Sequence, residues 1–339
     1  MNVCIVYLGS RGGGARLTRD LYEDLSKSHH KVRVIYKHNA EFSEHYEMPN
    51  NDNLSVHFTS SKILMYIFAW FNSRRLVNQI KMISPKVNCL VFSMPHPYNK
   101  YLLKSLNKKV DAITISIIHD DKAHLGEFWP TKFGTKKIIS RSRFVIYLSK
   151  YVMSKFPYTE KSNHTILESL PILQFPYPLR DKKIIVVPGR LKKYKNIDRI
   201  LEISDNLPDG YTIKIVGEGD LPFSPKKRNI RVVNRWLSSL EFDHEIAAAG
   251  ALLNLYVEAT QSGPVAIAKV YGTPVISNFI GGIGEQLENY AGAFFVKPEI
   301  GLTSEILNGI NLFANGRLAP KEFPQMDITK KILCILEDC

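Results

Sequence analysis

Apolar residues come in short bursts along this chain, each followed by a turn or cap signal and then by a helical spacing. Residues 2–8 form an apolar run that stops at Gly9-Ser10-Arg11-Gly12-Gly13-Gly14. Leu17, Leu21 and Leu25 then recur every fourth residue, as one face of a helix does, and Val32-Arg33-Val34-Ile35-Tyr36 alternates as a strand does. The opening is therefore a βαβ unit with a glycine-rich first turn. Residues 88–93, 112–118 and 144–148 read as further buried strands, and Ser149 stands where it can cap a helix starting at Lys150.

From 157 to 182 prolines gather (Pro157, Pro171, Pro176, Pro178), which marks an interdomain linker. A second series follows: strand 183–187, helix 196–206, and strand 211–216 ending in Gly217-Glu218-Gly219. Residues 230–233, 252–256, 274–277 and 293–296 read as short strands, with helices over 242–249 and 264–271 among those between them. Strands alternating with helices imply parallel sheets covered on both faces. The expected fold is α/β, with two Rossmann-like doubly wound domains facing across a cleft. The boundaries read as 1–170, a linker over 171–182, a second domain over 183–320, and a C-terminal helix over 321–339 that packs back toward the first domain.

Composition agrees with an ordinary globular chain of two domains: 339 residues, 45% apolar and 23% charged. The four cysteines, Cys4, Cys89, Cys334 and Cys339, lack the spacing of a metal site or a disulfide framework, which fits a reducing cytoplasm. The N-terminus lacks the basic start and apolar core of a signal peptide, and no apolar stretch reaches the roughly 18–20 residues of a membrane span. A soluble or peripheral protein is expected.

Charge is uneven. The net charge is +13; residues 62–109 hold nine Lys/Arg and no acid, and residues 131–161 hold eight against Glu160 alone. Such a surface attracts anionic lipid, nucleic acid or phosphorylated substrates, or is simply a solvated basic face. Within it, the run Ile63 to Phe71 is apolar and aromatic, flanked by Lys62, Arg74 and Arg75. It reads as a buried helix or as a patch lying at a membrane interface.

Three loops carry candidate chemistry. Gly12-Gly13-Gly14 permits close approach of a ligand before a helix start, or is a tight turn with no ligand. Pro188-Gly189-Arg190-Leu191-Lys192-Lys193-Tyr194-Lys195-Asn196 puts cations at a strand exit, where they can hold a diphosphate or merely face solvent. Glu258-Ala259-Thr260-Gln261-Ser262-Gly263-Pro264 leads into a helix whose first N–H groups suit phosphate. A fourth loop, His119-Asp120-Asp121 with His124 behind it, lacks the spacing of a cation-binding acid pair.

Taken together, in this order, these loops resemble those of glycosyltransferase family 4, the retaining nucleotide-sugar transferases of the GT-B fold. The resemblance runs through most of residues 1–300 and is strongest over 186–296, in "VVPGRLKKYKNIDRIL", "IKIVGEGD", "YVEATQSGPVAIAKVYGTPVISNFIGGIGEQL" and "GAFFV". In the first half, "GSRGGGARLTRDL" and "IIHDDKAHLGE" look like the family's acceptor-side loops. The resemblance implies that Arg190 and Lys195 bind the donor diphosphate and that Ser262 and Gly263 meet phosphate through the backbone. It implies further that Glu258 faces the donor sugar, that Glu218 lies on the donor side, and that His119 reaches the sugar from the opposite domain. Gly13 and Gly14 would lie beside the donor phosphates or the acceptor.

One departure stands out. The family's second acid, which holds the ribose hydroxyls, should fall near Ile267 or Ala268, and neither is acidic. Glu285 is a nearby acid without an assigned role. The resemblance implies a cytoplasmic enzyme needing no metal and no cofactor beyond its UDP- or GDP-linked sugar. Its acceptor would be a saccharide on a polyprenyl diphosphate lipid, in assembly of a bacterial surface polysaccharide such as lipopolysaccharide or capsule. An anionic membrane surface, at the inner face of the cell membrane, is the expected macromolecular partner, and nucleic acid is not. Two other readings stay open: a GT-B nucleotide-sugar epimerase, and an inactive GT-B homologue that only binds.

Overall fold

A computed structural model describes residues 1–41, 54–56, 69–83, 87–106, 112–120, 134–156, 163–168, 171, 175–176, 178–221, 229–297, 302–314 and 327–338. The chain divides into two compact units at Ser169/Leu170, and the last helix, Asp327–Glu337, belongs with the first unit, where it packs on the helix Gly13–Ser26.

The first unit is built on β1 (Asn2–Tyr7), β2 (Lys31–Lys37), β3 (Leu54–Val56), β4 (Cys89–Phe92), β5 (Ile113–Ile118), β6 (Phe144–Tyr147) and β7 (Asn163–Ile166). The second is built on β8 (Asp181–Pro188), β9 (Thr212–Val216), β10 (Ile230–Val233), β11 (Ala249–Asn254), β12 (Val275–Asn278) and β13 (Ala293–Val296). Every strand pairing is parallel, in the orders β3-β2-β1-β4-β5-β6-β7 and β10-β9-β8-β11-β12-β13. The chain winds outward one way from the centre of each sheet and then the other, which makes each sheet doubly wound.

Parallel sheets bury both faces, so their strands are apolar almost throughout; all six residues of β5 are buried. The period of two sorts the side chains between the faces. Ile185 and Val187 of β8 join one core with Ile213 and Ile215, whereas Val186 joins the other with Val216 and Leu252.

Several expected boundaries shift. The proline-rich stretch is not all linker, because it contains β7, which adds to the first sheet, and β8 starts at Asp181, inside the expected 171–182 linker. The expected helix 242–249 is observed as Ser239–Ala247, so that β11 begins at Ala249 rather than 252. The expected helix 196–206 is Ile197–Ser204, preceded by a 3₁₀ turn over Lys193–Lys195. Of the aromatic segment from Ile63 to Phe71, residues 63–68 lie outside the described residues; a helix runs over Ala69–Ile83, and Phe71 is 67% exposed on it. Among the described residues no helix is long and apolar enough to cross a membrane.

Candidate functional site

Where strand order reverses, the loops leaving two adjacent strands part and open a crevice at the carboxyl edge of the sheet. In the second sheet that point lies between β8 and β11. Three strand-exit loops meet there: 189–196 after β8, 217–219 after β9, and 255–262 after β11.

Backbone hydrogen bonds hold these loops together. The Gly189 and Leu191 N–H groups donate to the Val216 and Glu218 carbonyls at 2.8 and 3.0 Å, and Val257 N–H donates to the Tyr194 carbonyl at 2.8 Å. Glycine is required at two of the crossings. Gly217 has φ 137°, and a Cβ there would lie 2.3 Å from the Gly189 oxygen. Gly189 has φ 102°, and its Cβ would lie 2.7 Å from Lys195 Nζ.

Lys195 is the centre of this site. The 3₁₀ turn, ended by Asn196 in the left-handed region at φ 56°, swings its side chain inward until the residue is only 4% exposed. Nζ donates to the Pro188 carbonyl at 2.8 Å and to the Tyr256 hydroxyl, and sits 4.4 Å from the Tyr256 ring centroid. Burial, with the Arg190 charge adding to it and Tyr194 opposing it, lowers the Lys195 pKa to about 8. Burial pushes the pKa of the Tyr256 hydroxyl up to about 12, so it stays neutral.

Ser262 caps the helix Gly263–Tyr271 by accepting from Val265 N–H at 3.4 Å. Its own backbone N–H, expected to meet phosphate, donates instead to Gln286 Oε1 at 2.7 Å. Pro264 has no N–H to offer. Of this helix start, the Gly263 N–H is therefore the donor left open among the described residues, on an exposed residue whose Cα has nothing within 4 Å of a Cβ position. Glu258 lies half-buried in the same loop, and the Arg190 and Glu218 side chains are exposed on the neighbouring two. Ile267 and Ala268, where the second acid was sought, are buried in the core, and Lys269 beside them sends Nζ to the Gln286 carbonyl at 2.7 Å. Glu285 is half-buried on the helix Gly281–Leu287.

The first sheet reverses between β1 and β4. The glycine loop leaves β1 there, and its polar groups are partly used: Gly12 N–H donates to Glu41 Oε2 at 2.9 Å, and the Ser10 hydroxyl accepts from Lys37 Nζ at 2.9 Å. Gly13 is exposed with open space around it. Gly14 is buried, and a Cβ there would lie 2.3 Å from Met94 Sδ and 3.0 Å from the Tyr7 ring. His119, at the end of β5, is buried and donates from Nε2 to the Ser93 carbonyl at 3.1 Å, which fixes its proton on that nitrogen. Burial, with Lys37 close by, lowers the His96 pKa to about 3, so that ring is neutral; burial also lowers Lys37. Asp121 and His124 lie outside the described residues. Among the described residues no group of three or more His, Cys, Asp or Glu is placed to hold a metal.

No family profile matches the chain, and no curated protein matches it by sequence. Solved structures do match. HepE of Anabaena, in complex with UDP, superposes with a TM-score of 0.70 at 13% identity, covering 100% of both chains. WaaB, a lipopolysaccharide outer core galactosyltransferase, gives 0.66 at 14% identity over 100% of both. The UDP-GlcNAc 2-epimerase of Methanocaldococcus jannaschii gives 0.65 at 10% identity, again over 100% of both. The fold is GT-B.

In this GT-B chain the residues picked out from sequence fall into two groups, one in each unit. Arg190, Lys195, Glu218, Glu258, Ser262 and Gly263 lie at the second sheet's switch point. Gly13, Gly14 and His119 lie at carboxyl ends of the first sheet, where Gly14 packs rather than opens. Sequence reasoning missed Tyr256, Gln286, Lys37 and His96. Tyr256 reads as the last residue of a strand, and Gln286 acts on a residue 24 positions away, so neither leaves a local signal.

Proposed function

We propose that this chain is a glycosyltransferase that moves a sugar from a nucleoside-diphosphate sugar to a saccharide acceptor, with the donor diphosphate held in the second unit. The observation that carries this reading is the second switch point, where a buried lysine, an exposed arginine and an open helix-start amide come from loops bound to one another. All three are donors or cations, which is what a diphosphate needs. UDP is the first nucleotide to test, since HepE is solved with it; GDP is the second.

The chemistry follows from those groups. As the bond from the anomeric carbon to the diphosphate oxygen breaks, its electron pair stays on the diphosphate. Lys195, Arg190 and the Gly263 N–H stabilise that growing charge. The acceptor hydroxyl bonds to the anomeric carbon on the face the diphosphate leaves, and its proton passes to the departing phosphate oxygen. Stereochemistry is thus retained, Glu258 faces the sugar, and no metal takes part. The reading extends to an acceptor on a polyprenyl diphosphate lipid, used in surface-polysaccharide assembly at the inner membrane face.

A thermal-stability screen against UDP- and GDP-sugars tests the donor assignment. A ligand bound only by the folded state at a hundredfold excess over its Kd adds about 2.7 kcal/mol. No shift with any nucleoside diphosphate sugar sinks the proposal. For a bound donor, release of nucleoside diphosphate should accelerate with a saccharide acceptor and be unchanged by EDTA. Collapse of the rate in EDTA and recovery with Mg²⁺ or Mn²⁺ would overturn the metal-free mechanism.

The buried Ile267 at the expected ribose position favours one competing reading. If nucleotide recognition differs, a 2-epimerase is the natural alternative, given the likeness to one. An epimerase turns the donor over without acceptor, which separates the two.

A further inference from the structure

Lys195 and Tyr256 are 61 positions apart, yet the buried ammonium of one ends on the hydroxyl of the other. We infer that Tyr256 is the positioning residue of the diphosphate site: its hydroxyl and ring hold the Lys195 ammonium in place at the second sheet's switch point. The inference rests on the second unit holding the donor diphosphate, as proposed above.

The geometry supports it from both ends. An ammonium only donates, so the Tyr256 oxygen accepts from Lys195 Nζ, which also donates to the Pro188 carbonyl at 2.8 Å. Tyr256 is itself fastened: its carbonyl accepts from Asn278 Nδ2 at 2.7 Å, and its ring meets Tyr194 edge-on with centroids 5.4 Å apart. The chain of bonds from Pro188 through Lys195 and Tyr256 to Asn278 thus links the loop after β8 to the loop after β11 and the end of β12, and leaves Arg190 and the Gly263 N–H outside it.

This arrangement decides where the lysine keeps its charge. The groups facing Nζ are Arg190 on its own loop, Tyr194 on the 3₁₀ turn, and Tyr256 on the loop after β11. Burial and Arg190 oppose the ammonium. The Tyr256 hydroxyl, as acceptor, favours it, and so do the two aromatic faces. Tyr256→Phe removes the acceptor and keeps the ring, so it isolates the hydroxyl. Without it, Lys195 loses its proton at lower pH, and the site loses its inner cation within the working range.

Competitive labelling with trace acetic anhydride, read by mass spectrometry across pH, follows Lys195 in the ligand-free protein. Exposed Lys182 in the same digest is the internal standard, and far-UV circular dichroism of each variant reports any unfolding. In the wild type the Lys195 midpoint should lie near 8, and in Tyr256→Phe it should fall by about one unit while Lys182 stays put. UDP affinity, measured by calorimetry over the same pH range, should weaken above the Lys195 midpoint in each protein and lose that limb in Lys195→Ala. Equal Lys195 midpoints in wild type and Tyr256→Phe overturn the inference, as does an unchanged pH limb of UDP binding. A wild type that binds neither UDP nor GDP at any pH defeats the diphosphate reading instead, and the labelling still decides whether Tyr256 holds the lysine.

Discussion

Lys195 is an ammonium placed where burial works against it. Its folded pKa of about 8 lies below the ordinary 10.5, so between those values the unfolded chain binds the extra proton. Stability contributed by this residue therefore rises as pH climbs from about 8 toward 10.5, and below 8 the charged form costs about 3 kcal/mol. A residue kept at such a cost is one the fold does not need. Lys195→Met should leave the melting temperature at pH 7 unchanged or higher, by scanning calorimetry, while cutting turnover at least tenfold. Arg190→Ala should cut turnover by a similar factor, since a lost charge-assisted phosphate bond costs about 1.5–3 kcal/mol. A melting temperature several degrees lower in Lys195→Met would mean that its bonds to Pro188 and Tyr256 outweigh its burial. Near-wild-type rates in both variants would remove the loop from the site. Arg190 and Lys195 were legible as a pair because a strand exit rich in cations is a local pattern. Tyr256 was not, because nothing in a one-dimensional reading says that the end of one strand folds onto a loop that left another 61 residues earlier.

At the scale of elements, helix starts do most of the work, and the two glycines after β1 show how finely. Gly13 opens the helix Gly13–Ser26 with nothing near its Cβ position, whereas Gly14 is wedged against Met94 and Tyr7. Gly13→Ala should keep or slightly raise stability, by about 0.4–1 kcal/mol through the unfolded chain. Gly14→Ala should cost about 1–3 kcal/mol, as Met94 and the backbone give way. Urea unfolding of the two variants checks the contrast, and donor turnover adds a second readout: if Gly13 lies beside phosphate, its alanine variant is slower although stable. Equal unfolding midpoints for both variants would contradict the packing. Strands and most turns were legible from apolar runs and glycines, since a parallel sheet imposes buried strands with marked ends. Boundaries slipped where a different signal governed. Ser238 and Glu241 make a reciprocal capping box that starts the helix at Ser239, and the S-x-x-E spacing was present in the sequence. β3 and β7 were missed because three or four residues, three of the four polar in β7, carry no periodicity to read.

At the scale of the molecule, the excess of positive charge is the property that no single site explains. It gathers in the first unit, where Arg74, Arg75, Lys104, Lys136, Lys137, Arg143, Lys150 and Lys155 are exposed. Lys100 is an exception to the expected basic face: it is buried, with Nζ 4.8 Å from the Tyr101 ring centroid and its chain covering Gly134. Phe71, Arg74 and Arg75 are exposed at positions i, i+3 and i+4 of the helix Ala69–Ile83, and so share one face. An exposed aromatic beside two cations suits the headgroup region of an anionic bilayer, where each basic residue near the surface contributes about 1 kcal/mol. We expect reversible binding to phosphatidylserine or phosphatidylglycerol vesicles at low salt, read by sedimentation. It should weaken as salt rises, because exposed charges are screened within about 10 Å at 0.1 M. Arg74→Glu/Arg75→Glu should shift the salt midpoint downward, and Phe71→Ser should weaken binding without changing its salt slope, since it removes apolar contact and no charge. Equal binding to neutral phosphatidylcholine would assign the interaction to Phe71 and its neighbours rather than to charge. Protein that stays in the supernatant with anionic vesicles at low salt would leave the basic face to a soluble polyanion, and the acceptor would then have to be sought in solution rather than on a lipid.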